Sequence, residues 1–159
     1  MTRIKVLPLI LSVGVSFLAA GIGSLFTTSA IDTWYATLNK PFFSPPNWVF
    51  APVWTLLYLL MGISLYLVWI TKTEKKAKKL GITFFFIQLA FNALWSILFF
   101  GLKSPIAAFI GIFLLWLAIY LTIKKFLQFS KFAGWLLIPY LAWVSFAAIL
   151  NLSIVLLNR

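Results

Sequence analysis

The stretch Trp34–Tyr58, WYATLNKPFFSPPNWVFAPVWTLLY, decides how the rest of the chain is read. Four of the seven prolines fall in it, Pro41, Pro45, Pro46 and Pro52, among Trp34, Tyr35, Phe42, Phe43, Trp48, Phe50 and Trp54. Consecutive prolines rule out continuous helix through Ser44, and the missing N–H makes Pro45 or Pro46 a natural first-turn residue. Pro52 takes the helical partner from the Trp48 carbonyl and predicts a bend just inside the helix. The segment therefore reads as a stiff aromatic loop, about residues 28–46, running directly into a helix. Such a loop is either a lid over a cavity or an interfacial belt of aromatic rings whose prolines only set a turn.

Composition decides the solvent. Of 159 residues, 64% are hydrophobic and 9% charged, with mean hydropathy +1.08. A water-soluble domain of this size cannot hide that much apolar surface, so a bilayer is the solvent. Thirteen Lys and Arg face two acids, Asp32 and Glu74, giving a net charge of +11. These charges sit between apolar runs and form no basic face, which argues against nucleic acid and for contact with anionic membrane lipid. The absence of Cys excludes disulfide and thiol chemistry.

Five runs are long enough for the ~20 residues a membrane span requires. They cover about residues 6–26, 47–70, 80–100, 105–123 and 132–157. The first is too long for the apolar core of a signal peptide and reads as a retained helix. Ser104-Pro105 is an N-cap followed by an N1 proline and starts the fourth run. The expectation is an all-α, integral membrane five-helix bundle forming one domain over residues 1–159. Small-residue pairs, Ala19 with Gly23 and Ala107 with Gly111, suit close helix contact; one would serve a homodimer seam and the other internal packing.

Basic residues set the orientation. Arg3, Lys5, Lys72, Lys75, Lys76, Lys78, Lys79, Lys124, Lys125 and Lys131 collect on one side, against Lys40, Lys103 and Arg159 on the other. The expected topology has a cytoplasmic N-terminus, an external C-terminus and an external lid loop.

Helical arithmetic sorts the inner faces. Trp54, Tyr58, Met61 and Leu65 share one stripe on the second run; Gln88, Asn92, Trp95 and Phe99 share one on the third. Pro139, Tyr140, Trp143, Ala147, Leu150 and Asn151 form another on the fifth. Amides inside a membrane are costly unless they face protein or a wet cavity, so Gln88, Asn92 and Asn151 mark inward sides. Each stripe alone is explained by helix packing, but three converging beneath one aromatic loop point to a pocket. Trp135, beside Lys131, reads as a belt anchor at the opposite boundary.

The run WYATLNKPFFSPPNWVFAPVW resembles the signature of the translocator protein / tryptophan-rich sensory protein family (TspO/MBR). FNALWSILFFG, Phe91–Gly101, is similar to that family's third helix, and WLLIPYLAWVSFAAILN, Trp135–Asn151, to its fifth. The resemblance implies a five-helix bundle with a cavity beneath the first loop, in a bacterial-type member of a bacterial cell membrane. It implies binding of porphyrins of the protoporphyrin IX type and other flat hydrophobic molecules, with Tyr35, Trp54, Asn92, Trp143, Ala147 and Leu150 lining the cavity. Dimers are common in the family. The animal cholesterol motif needs a Tyr near the end of the fifth helix, and no Tyr follows Tyr140 here, so no cholesterol role is expected.

Residue chemistry favours a binding or sensor protein, since Trp and Tyr stack on flat ligands and amides orient them. Tyr58, Trp95 and Asn151 join the expected lining on the strength of their stripes. Lys40, Lys103 or Arg159 would receive porphyrin propionates. With no His or Cys, haem iron fits poorly and neither metal nor cofactor is expected. A passive transporter is the alternative; proton coupling would require an ionisable residue within the spans. Acid–base catalysis has few candidates, since both carboxylates lie on connectors and His is absent; the resemblance implies at most light-dependent porphyrin breakdown, with Trp54 or Trp143 as electron donor. The orientation has a direct test. A cysteine at Thr37 is predicted to react with an impermeant thiol reagent in intact cells and one at Thr73 is not; the reverse pattern contradicts the topology.

Overall fold

The computed structural model describes residues 5–72 and 74–159, so Arg3 and Thr73 lie outside the described residues. The elements are α1 (Val6–Ala30), α2 (Trp34–Thr37), α3 (Asn47–Ile70), α4 (Lys75–Ser96, continuing as a π-helical turn, Ile97–Gly101), α5 (Pro105–Phe129), α6 (Lys131–Leu136) and α7 (Ile138–Leu157). Among the described residues the fold is all helix. Five spans are long and apolar enough to cross a membrane: α1, α3, α4 with its π turn, α5, and α6 with α7.

Several boundaries differ from the sequence expectation, each for a local reason. α1 runs on to Ala30 because Thr27, Thr28 and Ser29 donate their hydroxyls back to carbonyls of the preceding turn and satisfy themselves within the helix. α4 starts earlier, at Lys75, and α5 continues to Phe129, since lysines are good helix formers that leave the apolar zone without breaking the helix. The fifth run is divided at Leu137, just before Pro139 in the first turn of α7. Neither Pro45 nor Pro46 is helical; Pro46 caps α3 in extended geometry and Asn47 is the first helical residue. The loop also contains α2, a short helical turn.

The spans close into a ring: α1 packs on α3 and α4, α4 on α5, α5 on α6 and α7, and α6 on α3. Glycines set the closest approaches. A Cβ on Gly62 would lie 2.6 Å from the Val13 Cα, so the backbones of α1 and α3 touch there. Further along α1, a Cβ on Gly23 would meet Ser96 Oγ at 3.1 Å, and one on Gly101 would meet the Phe26 ring at 2.8 Å. α1 thus leans on α3 nearer the lysine-rich end and on α4 at the lid end. Gly111 is buried against Leu98 of the π turn, so the glycine of each small-residue pair serves packing within the chain.

The π turn changes which rings point inward. Leu102 N–H reaches back to the Ile97 carbonyl at 2.7 Å, and the wider turn lets Phe99 and Phe100 both be buried, 4.9 Å apart. Tyr35 of α2, 3% exposed, docks on these two rings at 6.1 and 5.8 Å. The other end of the lid loop is clamped to the end of α7, where Asn39 and Asn158 exchange two hydrogen bonds of 2.9 Å.

Gly62→Ala is predicted to lower the thermal midpoint in detergent, because the added methyl meets backbone; overpacking of this kind costs about 1–3 kcal/mol. Gly14→Ala is the control, with nothing within 4 Å of its Cβ, and should hold or raise the midpoint. Equal losses at both would contradict the α1–α3 contact as described.

Candidate functional site: a cavity beneath the first loop

A cavity of about 670 Å³ opens between α1, α3, α4 and α7, under α2. Its floor is a polar chain across three helices. The Tyr58 hydroxyl donates to Asn92 Oδ1 at 2.5 Å, and Asn92 Nδ2 donates to the Tyr140 hydroxyl at 2.8 Å. Trp54 lies over this chain, its ring 5.5 Å from Tyr58 and 6.1 Å from Tyr140. One wall is Trp95, stacked on Phe99 at 5.3 Å, with Nε1 donating to Asn151 Oδ1 at 3.2 Å. Asn151 Nδ2 in turn donates to the Pro105 carbonyl at 2.8 Å. On the α3–α7 side the helices are bridged by rings, Phe50 against Trp143 at 6.1 Å.

Tyr35 belongs to the roof. Lys40 Nζ sits 4.5 Å from its ring centre and donates to its carbonyl at 3.2 Å. The Tyr35 hydroxyl is buried with no hydrogen-bond partner among the described residues. Burial raises its pKa above the ordinary tyrosine value; the Ser44 side chain acts in the opposite direction without forming a bond of proper geometry.

All nine residues singled out from sequence, Tyr35, Trp54, Tyr58, Asn92, Trp95, Trp143, Ala147, Leu150 and Asn151, line this one cavity. Gln88 does not; it lies in the core, 1% exposed, with Nε2 on Met61 Sδ at 3.8 Å and Oε1 without a partner. Both lining amides spend bonds on helix partners, so they hold α3, α4 and α7 together as well as facing the cavity. The aromatic loop divides between the two readings of it. Tyr35 of the loop lines the cavity, as do Trp48 and Phe50 at the start of α3, while Phe42, fully exposed, stands out as a belt residue would.

Two features escaped the sequence. The first is a whole wall from α1, including Phe17, Ala20, Gly21, Ser24, Thr27 and Thr28. Their spacing follows one helical face, and that periodicity was the available signal, but small residues in a membrane helix read first as packing. Phe17, Gly21, Ser24 and Thr28 are exposed, as are Asn47, Trp48, Ala51 and Thr55 facing them from α3. The cavity therefore opens sideways between the lid-end halves of α1 and α3. The second feature is charge. Lys40, Lys103 and Arg159, expected to receive propionates, do not line the cavity; among the described residues the charged side chain that does is Asp32.

Five apolar spans, four of them enclosing an aromatic-walled cavity with a side opening, define a small helical membrane protein. The chain belongs to the TspO/MBR family, whose sequence model matches residues 12–157. It is 48% identical over 155 residues to the tryptophan-rich protein TspO of Archaeoglobus fulgidus, covering 97% of this chain and 99% of that one. It is 41% identical over 146 residues to the tryptophan-rich sensory protein of Cereibacter sphaeroides, covering 90% and 89%. With the translocator protein of Homo sapiens the identity is 41% over 133 residues, covering 82% and 78%.

Proposed function

We propose that this protein binds porphyrins of the protoporphyrin IX type and related flat hydrophobic molecules in the cavity under α2, as a membrane binding or sensor protein. The observation that carries this reading is the cavity itself. Its volume falls within the ~300–1,000 Å³ of small-molecule sites, and the rings of Tyr35, Trp54, Trp95 and Trp143 surround it. Flat conjugated ligands gain both area burial and ring–ring contact from such walls. The names of two relatives, a sensory protein and a translocator, are compatible with a protein that captures a small molecule in the membrane. The site residues proposed are the nine singled out from sequence. The orientation proposed, with the N-terminus in the cytoplasm, rests on the bias of basic residues.

A passive translocator is the second reading, and the side opening between α1 and α3 favours it. A ligand dissolved in lipid reaches the aromatic walls through that opening without crossing the lid. Uptake of a porphyrin into proteoliposomes separates this reading from binding alone.

Trp54→Ala and Trp143→Ala are each predicted to weaken porphyrin binding by about 1–3 kcal/mol, from lost ring contact and apolar burial. That is roughly a 5- to 150-fold rise in Kd. Trp135→Ala, on the exposed face of α6, should leave affinity nearly unchanged. Ala147→Thr should impair bulky ligands without unfolding the protein. Fluorescence titration of the four variants reads this directly, and equal losses at Trp54, Trp143 and Trp135 would contradict the proposed site.

A further inference from the structure

We infer that the mouth of the cavity selects for ligands carrying a cationic group, with Asp32 as the specificity-determining residue. This rests on the reading of the cavity as a binding site and adds the charge of its ligand. Along the α1 edge of the opening the polar side chains are Ser24, Thr27, Thr28 and Asp32. The three hydroxyls donate their protons to carbonyls of their own helix, Ser24 to Gly21, Thr27 to Gly23 and Thr28 to Ser24, at 2.9, 3.1 and 2.8 Å. A hydroxyl whose proton is committed in this way offers a passing ligand only lone pairs. The Asp32 carboxylate likewise offers lone pairs. The whole α1 edge therefore receives donors and has none to give.

The α3 edge opposite adds no positive charge. Thr55 also donates to its own helix, to the Ala51 carbonyl at 2.8 Å. Trp48, 74% exposed at the opening, presents an indole face that attracts cations. Asn47 supplies an amide, which can donate or accept but carries no charge. The nearest cation of the lid, Lys40, is held on Tyr35 by its carbonyl and its ring. A carboxylate-bearing ligand entering here meets Asp32 and an acceptor-lined wall with no cation to offset them. A flat ligand with an ammonium group meets the opposite. The protein's overall charge of +11 would bias binding towards anions, so a preference for cations has to arise locally.

The test uses one macrocycle with three peripheral charges: protoporphyrin IX as the diacid, its neutral dimethyl ester, and a diamide carrying two tertiary ammonium groups. Affinities are measured with wild-type protein and Asp32→Asn in neutral-lipid nanodiscs and normalised to the ester. The wild type should prefer the cationic diamide over the diacid, and Asp32→Asn should shrink that ratio by roughly two- to fivefold, the scale of one exposed charge contact. A ratio unchanged by Asp32→Asn, or a wild-type preference for the diacid, overturns the inference while leaving porphyrin binding intact. If no macrocycle binds, the porphyrin reading fails instead, and the mouth is still read with 9-aminoacridine as cation against acridine-9-carboxylate as anion. Loss of the cation preference in Asp32→Asn supports the inference; the absence of any such preference in the wild type sinks it.

Discussion

The rest of the structure depends on where α1 is allowed to touch its neighbours. Gly62 brings its backbone against α3 at Val13, and Gly23 brings it against α4 at Ser96. A stiff helix held by different partners at those two depths has to part from α3 over the lid-end half. In lipid there is no hydrophobic penalty for leaving that gap unfilled by protein, because acyl chains are as apolar as the side chains they would replace. The gap is the side opening of the cavity, and Phe17, Gly21, Ser24 and Thr28 form one edge of it because of the tilt.

What keeps the remaining walls in place is polar. Tyr58, Asn92 and Tyr140 tie α3, α4 and α7 across the floor, and Trp95 and Asn151 tie α4 to α7 and α5. Each such bond contributes a net ~1 kcal/mol, whereas leaving one of these groups unpaired in the core costs about 1–3 kcal/mol. The network therefore specifies one arrangement of helices more than it adds stability. It also removes the amides from the set of freely available ligand donors, so recognition of a ligand falls mainly to rings and to the polar edge at the mouth.

The five spans were legible because a bilayer demands long apolar runs, and the inward faces of α3, α4 and α7 because Asn92, Asn151 and the aligned tryptophans have nowhere else to go. Bound to the same logic, Gln88 was placed inward correctly, yet it lies in the core with Met61 and not on the cavity. α1 was opaque for a physical reason: Ser and Thr that bond to their own helix cost little in lipid and announce no site. Phe100 was hidden by the π turn, which breaks the 100° arithmetic at Ile97. Which lid-end cation faces the cavity was not legible: Lys40 turns to the Tyr35 ring and carbonyl, and neither it nor Lys103 nor Arg159 is in the lining.

A structure of the protein loaded with protoporphyrin IX tests the central claim most directly. The account predicts the macrocycle between Trp54 and Trp143, over the Tyr58–Asn92–Tyr140 floor, with one edge in the opening between α1 and α3 and its carboxylates turned away from Asp32. A macrocycle on the lipid-facing surface, with the cavity empty, would contradict it.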